Sequence, residues 1–184
     1  KLYFNHLINN TKKEIPRAEQ VNFSTSSKYA VFLIKPLYQD TRLAKIKKKK
    51  PEEMTKDSLG ILNLATLAIN KVARVKSFKI PEQGNDYIAY QLEKLLDTAK
   101  KAKPAVTDKK GTEEGTDLVF KNLNTGIERR FKGVTAYRFS KNGQQLVIAC
   151  SGSTTDKTAP VGVFLFNTEK GTLKTLVAKK GNYK

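Results

Sequence analysis

Apolar residues along this chain alternate with polar ones in short runs, the period of a half-buried strand rather than of a helix. Four runs share one layout: Leu2 to Leu7, Leu59 to Leu64, Leu118 to Leu123 and Val161 to Phe166. Each leads into turn-forming residues, at Asn9-Asn10-Thr11, Ala65-Thr66, Asn124-Thr125-Gly126 and Asn167 to Gly171. Asn and Gly tolerate the left-handed backbone that tight turns need, and a more polar run follows each turn. The pattern predicts four β-hairpins.

A second kind of pair precedes the last three hairpins. Val21 to Ser24 is followed by Tyr29 to Ile34, Val75 to Phe78 by Tyr87 to Tyr90, and Ala136 to Ser140 by Leu146 to Ala149. The connectors, Ser24 to Lys28, Pro81 to Asp86 and Lys141 to Gly143, are again turn formers. Residues two apart share a strand face, so Val21 with Phe23, and Val75 with Phe78 across a bulge, are expected to point inward.

Taken together these units recur as a four-strand repeat. The shortest step, from Leu123 to Phe166, falls in the roughly 40–45 residue range of a propeller blade. The longer steps are accounted for by insertions at one recurrent place, 35–58 and 94–115, with 151–160 as the short version. All lie between the second and third strands of a blade, so they should leave from one rim. The predicted fold is all-β: a partial β-propeller of about three and a half four-stranded antiparallel blades. Residues 1–19 form a half blade, 20–73, 74–132 and 133–184 form whole ones, and the ring is left open. Radial closure protects strand edges, whereas an open arc exposes them. The expectation is therefore a segment of a longer propeller, with self-association through open edges as another way to cover them.

Composition narrows the chemistry. The 184 residues include 35 Lys+Arg against 17 Asp+Glu, a formal net charge of +18, with one Cys, one His, one Met and no Trp. Cys150 has no partner for a disulfide, and Cys150 with His6 cannot furnish a zinc site, so neither metal nor cofactor is expected. No apolar run reaches the ~18 residues of a membrane span, and the start at Lys1 does not read as a signal peptide.

Catalytic signatures are missing as well. Cys150-Ser151-Gly152-Ser153 lacks the spacing of a nucleophile elbow, and Ser151 and Ser153 read as solvated loop residues. His6 lies in a β-run without a serine or cysteine partner and reads as structural. Glu52-Glu53 and Glu113-Glu114 sit beside lysines in polar loops, and Lys109 to Thr112 lacks the leading glycine of a phosphate loop. The chain as given is not read as an enzyme.

The charge first suggests a nucleic-acid or other anionic partner. Its densest run offers Lys45, Lys47, Lys48, Lys49 and Lys50 as candidate surface contacts. That run has no aromatic residue for base stacking, and the two long insertions hold only about a third of the net charge. Dispersed lysine suits a solvated rim with charged strand edges, which is preferred to a nucleic-acid site. Lys94 to Lys103 could form a short helix with Leu95 and Leu96 on one side, too short and lysine-rich to enter a membrane.

With these repeats in view, the chain resembles the non-catalytic β-propeller of bacterial prolyl-oligopeptidase-type serine peptidases. The likeness is carried by Asp117 to Gly126, Val134 to Gly143 with Leu146 to Ala149, and Val163 to Gly171. These look like blades of the form strand, Asn-Thr-Gly turn, strand, Phe-Ser-x-Asp/Asn-Gly, strand. The segment from Ile34 to Arg42, the lysine run and Lys56 to Gly60 are similar to an insertion in a secreted bacterial subgroup. The resemblance implies a scaffold and substrate-access gate for a hydrolase domain absent from this chain. It implies peptide substrates for the whole protein, which would be a serine peptidase, and a periplasmic or secreted location. No catalytic residue is carried over, because the family's Ser, Asp and His have no matching positions here. The alternative is a propeller-type module that binds a protein or polysaccharide.

Overall fold

The computed structural model describes residues 1–7, 10–94, 115–152, 160–179 and 181. The helix expected at Lys94 to Lys103 falls almost wholly outside them, as do Ser153, Glu113-Glu114 and Lys109 to Thr112. Thirteen strands and one α-helix are present among the described residues.

Every strand pairs antiparallel with its sequence neighbour in a simple meander, as short turns between alternating runs dictate. β1 (Leu2–His6) pairs β2 (Thr11–Ile15). β3 (Ala18–Phe23), β4 (Tyr29–Ile34), β5 (Ser58–Asn63) and β6 (Ile69–Ala73) form a four-stranded sheet. β7 (Val75–Lys79), β8 (Tyr87–Leu92), β9 (Thr116–Asn122), β10 (Glu128–Phe139), β11 (Gln145–Ser151), β12 (Val161–Asn167) and β13 (Leu173–Val177) follow as one seven-stranded sheet.

The boundary expected between 74–132 and 133–184 falls within one continuous strand, β10. Glu128 to Phe131 pairs with β9, whereas Ala136 to Phe139 pairs with β11, with register shifts at both joints. Gly133, at φ 67°, turns the strand between them without ending it. Ser151, expected in a loop, is the last residue of β11, and its Oγ accepts from the Gly115 backbone N–H at 3.2 Å.

The corresponding joints at Arg17 (φ 63°) and Arg74 (φ 60°) use the same left-handed backbone with a bulky residue. Each arginine also caps a strand end. Arg17 Nη1 donates to the Lys35 carbonyl at 2.7 Å, and Arg74 Nη2 to the Lys94 carbonyl at 2.5 Å.

The cores lie between successive four-strand units. Ile15, Ala18, Ala30, Phe32 and Leu62 pack with Leu2 and Phe4 of the first hairpin. Val31, Leu33, Leu59 and Ile61 meet Val75, Ile88, Tyr90, Val119 and Leu123. Tyr87, Ala89, Leu118 and Phe120 meet Phe131, Val134, Tyr137, Leu146, Ile148 and Phe166. Units stacked face to face around an axis are the packing of propeller blades, and the fold is an all-β partial β-propeller.

The two ends of the strands differ in construction. The insertions 35–57, 93–115 and 152–160 all connect the second to the third strand of a unit and leave from one rim. At the opposite rim the connectors that are described throughout are shorter, five to seven residues. Three of them repeat one device: Asn63, Asn122 and Asn167 each accept two backbone N–H groups through Oδ1, at 2.8 to 3.2 Å. The left-handed position that closes each turn holds Leu67 (φ 56°), Gly126 (φ 75°) and Gly171 (φ 65°).

Candidate functional site

Three first strands come together at the tight-turn rim. Asn22 to Thr25 at the end of β3, Phe78 to Glu82 at the end of β7 and Arg138 to Lys141 at the end of β10 line one open cavity of about 820 Å³. These segments lie far apart in sequence and meet because each begins a unit. Their register corresponds: Phe23 faces Ala30 and Phe139 faces Leu146 across their hairpins. The following serines close equivalent turns, Ser24 N–H to the Tyr29 carbonyl and Ser140 N–H to the Gln145 carbonyl, both at 2.8 Å.

Phe23 was expected to point inward, but it is 56% exposed. β3 has a hydrogen-bonded partner on one side only, and its last residue stands at the cavity wall, where its ring meets Phe4 edge-on at 6.4 Å. Phe139 and Ile80 reach the same hollow while packed against the cores behind them.

Neighbouring turns lock the cavity's rim. Between the first two units, the buried Asp86 accepts from Ser26 N–H (3.0 Å), Ser26 Oγ–H (2.6 Å) and Asn124 Nδ2–H (3.1 Å). Burial acts to raise its pKa, but hydrogen bonds from Ser26, Ser24 and Asn124 together outweigh it and hold the carboxyl below its ordinary range. Between the second and third units, Gly84 lies so close to the Asn142 carbonyl that a Cβ would sit 2.2 Å from its oxygen. Gln83 N–H donates to the Lys141 carbonyl at 2.9 Å alongside.

The wall is equally tied. Tyr137 Oη and Ser77 Oγ share a hydrogen bond of 2.9 Å, and burial pushes the Tyr137 pKa up to about 12. Lys79 Nζ donates to the Tyr137 carbonyl at 2.9 Å and lies 5.1 Å from its ring centre. The cavity thus combines apolar walls from Phe23, Phe78, Ile80 and Phe139 with the charges of Lys79, Arg138, Lys141 and Glu82. Such a lining suits the passage or grip of an extended chain carrying mixed side chains.

Other candidates stand elsewhere. Lys45 lies in the last turn of α1 (Tyr38–Ile46), and Lys47 to Lys50 follow the helix, all five exposed on the insertion rim away from the cavity. The helix follows Pro36 and ends where Lys48 takes a left-handed backbone (φ 49°). His6 ends β1. Cys150 is buried, which pushes its thiol up to about 11, far from a reactive thiolate. Among the described residues no group of three or more His, Cys, Asp or Glu could hold a metal ion.

Sequence reasoning missed the cavity and Asp86. The recurring Phe-Ser pair at Phe23-Ser24 and Phe139-Ser140 was the signal for the first, and nothing local marks the second.

No family model matches the chain, and no curated protein matches it. Solved structures do resemble it. The β-propeller domain of the Trilobed protease from Pyrococcus furiosus, described as an open velcro topology, aligns at TM-score 0.49 and 12% identity. That match covers 96% of this chain and 49% of that one. Pyrococcus horikoshii acylaminoacyl peptidase aligns at TM-score 0.48 and 11% identity, over 95% of this chain and 27% of that one. An acylaminoacyl peptidase in complex with Z-Gly-Gly-Phe-chloromethyl ketone aligns at TM-score 0.44 and 16% identity, over 96% and 28%. The chain therefore spans about half the length of the first and about a quarter of the two peptidases.

Proposed function

We propose that this chain is the non-catalytic β-propeller portion of a prolyl-oligopeptidase-like serine peptidase. In this reading it is the scaffold and substrate-access gate for a hydrolase domain encoded elsewhere in the same protein. Residues 1–19, 20–73, 74–132 and 133–184 are then a half blade and three blades of a ring that further blades complete. The whole protein acts on peptides in the periplasm or outside the cell.

The observation that carries the reading is the cavity at the convergence of three first strands. A propeller's first strands surround its axis, so an opening there is the way through the ring. Its rim is locked by Asp86, Ser26 and Gly84, which suits a passage of fixed width. The sequence resemblance supplies the peptidase; the cavity supplies the gate.

Two assays test the division of labour. The purified chain should neither hydrolyse peptide substrates nor react with a fluorophosphonate serine-hydrolase probe. The whole protein should do both, at a serine outside this segment. Labelling of a serine within 1–184 overturns the proposal, as does a whole protein that no serine-directed probe inhibits.

A further inference from the structure

The insertion between β4 and β5 carries a surface that neither the fold nor the gate uses. Within α1 only Ala44 is buried. Thr41 lies beside it, and its hydroxyl meets Thr55 Oγ1 at 3.3 Å, so the helix rests on this narrow side. The opposite side is turned to solvent and carries large apolar side chains beside Gln39 and Arg42: Tyr38 is 77% exposed, Leu43 54% and Ile46 65%, with Leu37 before the helix at 52%. At about 100° per residue Ile46 lies across from Ala44, with Leu43 to one side of it beyond Gln39 and Tyr38 to the other beyond Arg42.

Lysines frame this stripe. Lys45 and Lys47 project to either side of Ile46, and Lys48, Lys49 and Lys50 follow in the turn. None of the five makes an ion pair among the described residues. The lysines bracketing the insertion behave otherwise: Lys35 Nζ bonds Asp57 Oδ2 at 2.7 Å, and Lys56 approaches Glu93 at 3.6 Å. Acidic groups nearby are few. Asp40 lies in the first turn, and Glu53 accepts from the Lys50 backbone N–H at 3.2 Å within the turn Pro51–Glu53, beside Glu52.

We infer that the segment from Leu37 to Lys50 docks flat on an anionic lipid bilayer. Leu43, Ile46 and Tyr38 sink to the headgroup boundary, while the lysines meet acidic headgroups. A bilayer is the partner that uses both features, because exposed apolar side chains gain from the acyl boundary and unpaired lysines from the surface charge. A nucleic acid would satisfy the lysines and leave Leu43 and Ile46 in water. No helix of the described residues is long and apolar enough to cross a membrane, so the contact is peripheral. It lies on the insertion rim and leaves the cavity open at the other end.

The test is flotation of the purified chain with vesicles containing roughly 30% phosphatidylserine in phosphatidylcholine, beside pure phosphatidylcholine. Binding to the acidic vesicles at low salt is expected, with little to the neutral ones. Replacing Lys47, Lys48, Lys49 and Lys50 together by Gln should weaken partitioning roughly several hundredfold, since each lysine near such a surface is worth roughly fivefold. The double variant Leu43→Ser, Ile46→Ser keeps every charge and should weaken it on the order of tenfold. Because the chain has no Trp, Ile46→Trp gives a single reporter whose emission should shift to the blue on binding. All these positions are solvent-facing, and an unchanged far-ultraviolet dichroism spectrum confirms the fold of each variant. Absence of vesicle binding at low salt overturns the inference. So does undiminished binding by the Leu43/Ile46 variant, or an unshifted Trp emission beside tight binding of a single-stranded oligonucleotide, which would mark a polyanion site.

Discussion

At one rim of the stacked units, three hairpins close with the same Asn-centred turn, and adjacent turns hydrogen-bond to each other. At the other rim, two connectors of 23 residues and one of 9 leave the same topological place, and among the described residues one of them carries a helix. A turn that must also contact its neighbour tolerates little variation, since its backbone groups are already committed. A connector that only returns the chain to the next strand can lengthen at small entropic cost. Regularity at one rim therefore frames the cavity, and irregularity at the other supplies surface.

The comparison is most sharply broken at Gly84. Ala there would drive its Cβ into the Asn142 carbonyl while holding a φ of 98°, so a loss of about 2–4 kcal/mol is expected from urea denaturation. Lys49→Ala on the opposite rim should stay within about 0.5 kcal/mol. Equal losses would dissolve the distinction between the rims.

Asp86 comes next. Asp86→Asn keeps the shape but removes an acceptor from Ser26 or Asn124, for an expected cost of about 1–3 kcal/mol at neutral pH. Its folded pKa is lowered, so the carboxylate's contribution is full above the unfolded value near 3.8 and fades as pH falls through the lower folded value. The gap between wild type and Asp86→Asn should accordingly narrow below about pH 4. A gap that stays constant from pH 7 to pH 3 would contradict the assignment.

The smallest effect concerns the three repeated turns. Gly126 and Gly171 meet the left-handed requirement without a side chain, whereas Leu67 meets it under strain. Leu67→Gly should raise stability by about 0.5–1 kcal/mol, the relieved strain being partly offset by the entropy of an added glycine. Loss of stability would show that Leu67 packs more than its backbone costs.

These elements also show what the sequence makes legible. The hairpins follow from alternation and Asn-Gly chemistry, which act within a few residues, so Asn122 and Asn167 announce their turns. Continuity of β10 was hidden because Gly133 reads as a break, although its conformational freedom is what lets the strand bend and continue. α1 was not anticipated within the insertion 35–58: no side chain caps its first turn, and lysines crowd its end. The cavity depends on Asn22, Lys79 and Arg138 meeting across three units, and no local pattern records such a meeting. Phe23 was misassigned for the same reason, since its exposure depends on what lies across the axis.

The gate is tested most directly by peptide length. In the whole protein, Phe23→Ala with Arg138→Ala widens the cavity while sparing the locks at Asp86 and Gly84. The account predicts that kcat/KM for a peptide of roughly thirty residues rises several-fold relative to that for a tetrapeptide, whose own value changes little. An unaltered ratio, with the double variant folded, would contradict passage through this opening.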